Sequence, residues 1–352
     1  MNLFTPFRLR GTELKNRIAV SPMCEYSAND GHPGTWHLVH LGSRAVGGAA
    51  LVMAEATSVQ AVGRISPADT GLYLDSHVEA WRPIVEFIRE QGAAAGIQLA
   101  HAGRKASTAV PWLGGAPLSI NAGGWEPLAP SAIPFDTGYN LPKELSAGEI
   151  DQIVADFATA ARRALRAGFQ VAEIHAAHGY LLQEFCSLLS NHRADEYGGS
   201  FENRIRLLLR VTKAVREIWP EQQPLFVRIS ATDWKEDGWE IQQSVELCRR
   251  LKGLGVDLVD VSSGGIVPGL RIPVGPGYQV GFAATIRRES SIATGCVGMI
   301  TDPAQAETII ATGQADIVLL AREMLRDPYW PRHAAQALGV KIKPPVQYER
   351  AW

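Results

Sequence analysis

The chain of 352 residues balances 34 Lys and Arg against 36 Asp and Glu, a formal net charge of −2, and is 46% hydrophobic and 20% charged. This is the make-up of a globular protein with a large core, and the absence of a basic run argues against a nucleic-acid partner. No run of about 18 apolar residues predicts a membrane span, and the N-terminus MNLFTPFRLRGTELKNR carries charges where a signal peptide needs an apolar stretch.

Phe4 to Ile18 alternates polar and apolar residues around Arg10-Gly11-Thr12, which predicts a hairpin before the main fold. Eight short apolar runs then recur, each followed by a loop and an amphipathic stretch: 18–23, 50–56, 95–100, 169–174, 225–229, 258–261, 296–300 and 317–321. Runs this short and continuous suit parallel strands buried on both faces. Between them, Ser146-Ala147-Gly148-Glu149 is a capping box opening a helix that ends at Gly168. Asp302-Pro303 opens a second helix, with proline at the first helical position. Further helices are expected near 38–46, 77–91, 203–217, 241–254, 282–289 and 329–338, with Ser200 as a cap before Asn203 and Arg204.

Eight strands alternating with helices predict a (β/α)8 barrel, one domain over residues 1–352. A doubly wound sheet would want a GxGxxG turn after its first strand, where Ser21-Pro22-Met23-Cys24 stands instead. Residues 102–144, rich in Gly, Pro and Trp, form a loop excursion after the third strand, expected to cover the barrel mouth. The four cysteines, Cys24, Cys186, Cys248 and Cys296, are scattered without a CxxC pair. That is expected of reduced thiols in a cytoplasmic protein.

Chemistry in such a barrel gathers at the C-terminal ends of its strands. Those ends offer Pro22, Met23, Cys24 and Tyr26, then Glu55 and Ala56, then Gln98, His101, Arg104 and Lys105. The fourth run delivers His175, His178 and Tyr180 beside Gly179. Later ends add Arg228, Asp233, Ser262, Ser263, Gly298 and Arg322. The set is rich in donors and poor in carboxylates, so it suits an electron-rich or anionic molecule and not a divalent metal. Two imidazoles and a phenol could hold a carbonyl oxygen or developing oxyanion and supply a proton. They could equally be satisfied histidines capping a strand, or two ligands of a metal site with no third ligand nearby. Arg228, inside the apolar FVRIS, must meet either an ion-pair partner or a bound anion. Gln98, in GIQLAH, needs backbone or ligand partners.

SPMCEYSA, MAEATSV, IQLAHAGRKAS, EIHAAHGYLLQEF, DEYGGSFENR and LLAREMLRDPYW occur in this order along the chain. Together they resemble the old yellow enzyme family of flavin-dependent ene-reductases. Cys24, where many relatives carry Thr, and the terminal PPVQYERAW make it similar to the thermophilic-like subclass of the xenobiotic reductase A type. The resemblance implies a barrel binding FMN noncovalently, with Ser21, Pro22, Met23, Cys24, Ala56 and Gln98 around the ring. It implies Arg228 beside N1 and O2, and Gly298, Ala321 and Arg322 at the phosphate. It implies that His175 and His178 grip the substrate oxygen, that Tyr180 protonates the α-carbon, and that Tyr26 contacts substrate. Arg350 would reach into a neighbouring subunit of a homodimer or homotetramer.

The activity so implied is ping-pong: NADPH or NADH gives hydride to the flavin and leaves. An α,β-unsaturated carbonyl or nitro compound then takes it at Cβ. The family usually has Gly where Ala321 stands, and a Cβ there would hinder phosphate if the residue needed a positive φ. The rival reading is a flavin-free aldolase or isomerase acting on a phosphorylated metabolite, for which Lys105 and Glu55 are the only candidate bases.

Overall fold

The computed structural model describes residues 2–352. It opens with the expected hairpin, β1 (Phe7–Leu9) antiparallel to β2 (Thr12–Leu14). Next come β3 (Ile18–Val20), α1 (Thr35–Val46), β4 (Leu51–Ser58), α2 (Asp75–Glu90) and β5 (Ala94–Ala100). An excursion follows, holding the two-residue strands β6 (Leu128–Ala129) and β7 (Lys143–Glu144). The alternation resumes with α3 (Ala147–Ala167), β8 (Val171–Ala176), α4 (Leu181–Cys186), α5 (Phe201–Ile218), β9 (Leu225–Ser230) and α6 (Ile241–Gly253). It closes with β10 (Leu258–Ser262), α7 (Val280–Ser290), β11 (Ala293–Cys296), α8 (Pro303–Ala311), β12 (Ile317–Leu320), α9 (Arg322–Arg326) and α10 (Trp330–Ala337).

β3, β4, β5, β8, β9, β10, β11 and β12 join in that order, all parallel, into a closed barrel. Closure removes every edge, and both strand faces are buried, as the continuous apolar runs require. The caps form as written. Glu149 N–H donates to Ser146 Oγ, and Glu149 Oε2 accepts from Ser146 N–H at 2.9 Å. Gly168 ends α3 at φ 96°. Asp302 accepts from Gln305 N–H at 2.9 Å, and Ser200 accepts from Asn203 N–H at 3.3 Å. No helix among the described residues is long and apolar enough to cross a membrane.

Side chains alternate across a strand, so the bore is lined by every second residue. Val171, Phe226, Leu258, Leu51, Met53, Ile317 and Leu319 fill its lower half, and Leu9 and Leu14 of the hairpin pack beneath them. One step up β8, β9 and β10 the lining turns polar: Glu173, Arg228 and Asp260, all buried.

Three boundaries differ from expectation. The seventh strand is Ala293–Cys296, not 296–300. Gly298 at φ 129° and Met299 at φ 50° leave the extended region, so the apolar residues there form a loop at the mouth. β3 stops at Val20 because Pro22 has no N–H to give to a ladder. β4 runs further than expected, with a register shift between Ala54 and Ala56 that makes Glu55 the extra residue.

Candidate active site

His175 is the last bore-facing residue of β8, buried with its Nδ1 lacking a protein partner. The chain then turns sharply. His178 takes φ 59° and Gly179 φ 72°, and this brings His178 and Tyr180 back over His175. The ring centroids of His175 lie 5.2 Å from His178 and 5.1 Å from Tyr180, both edge to face. A Cβ on Gly179 would sit 2.0 Å from the carbonyl oxygen of Gly265, so only glycine permits this crossing. His178 Nε2 is 2.7 Å from Ser262 Oγ, and His178 N–H donates to Ser230 Oγ. Among the described residues no third His, Cys, Asp or Glu joins the two histidines in a ligand cluster.

Burial holds both imidazoles well below the usual histidine range, and Arg228 adds to it. They are therefore neutral donors. Burial raises the Tyr180 phenol well above its usual range, reinforced by Cys24, Tyr26 and Asp69. It remains protonated at any working pH.

Beneath the histidines lies the polar layer. Arg228 Nε is 3.1 Å from Asp260 Oδ2, and Gln98 Nε2 donates to Glu173 Oε1 at 2.7 Å. Arg228 thus has its structural ion pair and still lines the cavity beside Ser262 and Gly298. Burial pushes Asp260 and Glu173 up, and their mutual repulsion adds to the shift at Glu173. The carboxylates missing from the sequence reading are here. Each interrupts an apolar strand, as Arg228 does, and that interruption was the available signal.

Cys24 and Tyr26 stand on the loop after β3, half-buried. Glu55, re-aimed by the bulge, accepts from Glu25 N–H at 3.0 Å and meets His37 Nε2 at 2.9 Å, which fixes that loop to α1. Trp112, from the excursion, meets Tyr26 edge to face at 6.1 Å, and Phe135 lies 4.7 Å from Lys105 Nζ. The excursion does reach the mouth.

On the β11–β12 side a cavity of about 270 Å³ is lined by Gly298, Met299, Ala321, Arg322, Tyr278 and Gln279, among others. A Cβ on Gly298 would fall 2.9 Å from the Tyr278 ring and 3.0 Å from Gln279. Among the described residues no protein acceptor takes the N–H of Gly298 or Met299. These free N–H groups and the exposed Arg322 suit a phosphate. Ala321 has φ −103° and ψ −99°, so its Cβ needs no left-handed backbone and the anticipated hindrance does not arise. Ser21, just after β3, Ala56 on β4 and Gln98 on β5 are buried. Arg350 is exposed, on a C-terminal segment whose Trp352 lies against His333 and Arg332.

The fold is a closed (β/α)8 barrel whose mouth holds free backbone N–H groups beside Arg322 and, apart from them, a cluster of neutral donors. A profile of the NADH:flavin oxidoreductase / NADH oxidase family matches residues 2–340. The NADPH dehydrogenase of Geobacillus thermodenitrificans is 53% identical, over 99% of this chain and 98% of that one. The NADPH dehydrogenase of Bacillus subtilis is 47% identical, over 99% of each. Among solved structures, morphinone reductase superposes with TM-score 0.81 at 26% identity, covering 98% of this chain and 92% of that one. The chain belongs to the NADH:flavin oxidoreductase / NADH oxidase family, the old yellow enzymes. It is an oxidoreductase whose cofactors are FMN and a reduced nicotinamide, which removes the flavin-free alternative.

Proposed function

We propose that this protein reduces activated alkenes, with NADPH or NADH as electron source. The observation that carries the reading is the triad of two neutral imidazoles and one protonated phenol, packed edge to face within 5.2 Å at the mouth. Neutral imidazole N–H groups donate to a carbonyl or nitro oxygen without forming an ion pair, so they gain strength as that oxygen becomes anionic. That gain draws electron density from the β-carbon. Tyr180 gives its proton at the α-carbon, and its raised phenol is protonated when that step begins.

Bound FMN supplies the hydride that the β-carbon accepts. Ser21, Pro22, Met23, Cys24, Ala56 and Gln98 would hold the ring, with Cys24 beside its reactive edge. Arg228 would place a cation at the edge that becomes electron-rich on reduction. Gly298, Ala321 and Arg322 would hold the phosphate. Tyr26 would contact the substrate. Arg350 would complete the site from a neighbouring subunit in a homodimer or homotetramer.

The test is spectroscopic. Purified protein is expected to be yellow, to bleach with anaerobic NADPH, and to regain its colour with cyclohexenone. Tyr180→Phe slows recolouring by about 100-fold and leaves bleaching near the native rate. Equal slowing of both steps refutes the proton-donor role.

A further inference from the structure

Lys105 is a buried lysine that the reaction as described leaves unused. It ends the 3-10 turn Gly103–Lys105 after β5. Its Nζ donates to the carbonyl of His178 at 2.8 Å and of Gly265 at 3.2 Å. The ammonium also lies 4.9 Å from the Tyr180 ring centroid and 4.7 Å from that of Phe135. It makes no ion pair among the described residues, and Glu184 acts on it only through space. Burying a cation against two carbonyls and two rings is costly compared with an apolar side chain of the same length. As a mere clamp it adds little, because the Gly179–Gly265 crossing already locks the two loops together. What only a cation adds is positive charge over the phenol.

We infer that Lys105 is a positioning residue that acts through Tyr180: it stabilises the phenolate left when Tyr180 gives up its proton. The inference rests on Tyr180 as the proton donor. In that step the Oη–H bond breaks and a C–H bond forms at the α-carbon with the substrate's own electron pair. The O–H electron pair stays on Oη until water reprotonates it. Negative charge therefore appears on a ring that Cys24, Tyr26 and Asp69 already make hard to ionise. A cation about 5 Å away in a poorly solvated site offsets part of that cost.

The arrangement has a pH signature. Burial lowers Lys105 to about 8, so its charge, and the support it gives, is present below that pH and lost above it. Other groups face the pair. Arg104 lies on the same turn, Glu184 on α4, His175 and His178 on the β8 end, and Arg228 on β9. Cys24, Tyr26, Asp69 and Tyr139 act on the phenol from the opposite wall. Of these, Glu184 is raised to about 8 by burial and is the main competitor for any alkaline transition.

The experiment is single-turnover recolouring of NADPH-reduced holoenzyme by cyclohexenone, from pH 6 to 10. The native rate is expected to fall with an apparent transition near that of Lys105. Lys105→Met lowers the rate about tenfold and abolishes the transition. Lys105→Arg restores the rate and carries it flat past pH 10, because guanidinium keeps its charge. A transition that survives in Lys105→Met, or stays in place in Lys105→Arg, overturns the inference and passes to Glu184. If Lys105→Met fails to hold FMN, Lys105→Arg alone decides. Failure of the underlying reading looks different: Tyr180→Phe then recolours at the native rate.

Discussion

The two halves of one barrel bore obey opposite rules. Below, Phe226, Leu258, Val171 and Met53 meet as an apolar plug. Two residues further along the same strands, Arg228, Asp260 and Glu173 meet as a buried charged layer. The strands, their register and their burial are shared, so architecture does not choose between the halves. The plug is self-sufficient, since dispersion and exclusion of water stabilise it without any partner. The polar layer is not: Arg228, Glu173 and Asp260 keep side-chain atoms without hydrogen-bond partners. Such groups persist where something else needs them.

The largest effect that would break this division comes from Arg228→Met. It leaves Asp260 and Glu173 with no cation and costs about 3–5 kcal/mol in urea unfolding, with loss of yellow colour. A variant that stays yellow and native in stability would show the layer to be as replaceable as the plug. Phe226→Ala, one step below, costs about 3 kcal/mol from the cavity it opens. The folded protein still binds FMN and bleaches with NADPH.

A third measurement sharpens the contrast through pH. Burial raises the Glu184 carboxyl from its usual 4.5 to about 8. Between those values the folded chain keeps a proton that the unfolded chain has lost, so stability falls as pH rises across that window. Glu184→Gln should flatten the fall between pH 5 and 8 by about 1 kcal/mol per pH unit, read as urea midpoints. Phe226→Ala should keep the native slope. The smallest effect belongs to Arg350→Ala, which is expected to raise the KM for cyclohexenone several-fold without loss of flavin. An unchanged KM would mean that the exposed arginine serves no neighbouring site.

The barrel was legible because each buried strand writes itself as an apolar run and each helix as a capped stripe. Where a strand was misplaced, at 296–300, apolar character came from loop residues at the mouth, and only the backbone at Gly298 and Met299 distinguishes them. His175, His178 and Tyr180 stood out because three polar aromatics fall within six residues. Arg228 is legible in the sequence as a cation near a strand end, whereas what Asp260 and Glu173 meet is not. Their pairing depends on register across β8, β9 and β10, which no single strand displays. In the sequence Lys105 stands among the strand-end donors and the candidate bases. Its placement over Tyr180 arises from a contact spanning 73 residues to the His178 carbonyl.

The crossing of Gly179 over Gly265 also bears on how such a protein can diversify. Two backbones that meet with no room for a methyl group tolerate no side chain at either position. The floor beneath any substrate is thereby withheld from mutation, whatever compound selection favours. The excursion at 102–144 is under no such restraint at its tips, where Trp112, Leu113 and Ile120 are exposed. Variation accumulating there would retailor the rim while the floor stays constant, so libraries aimed at new substrates belong on that loop.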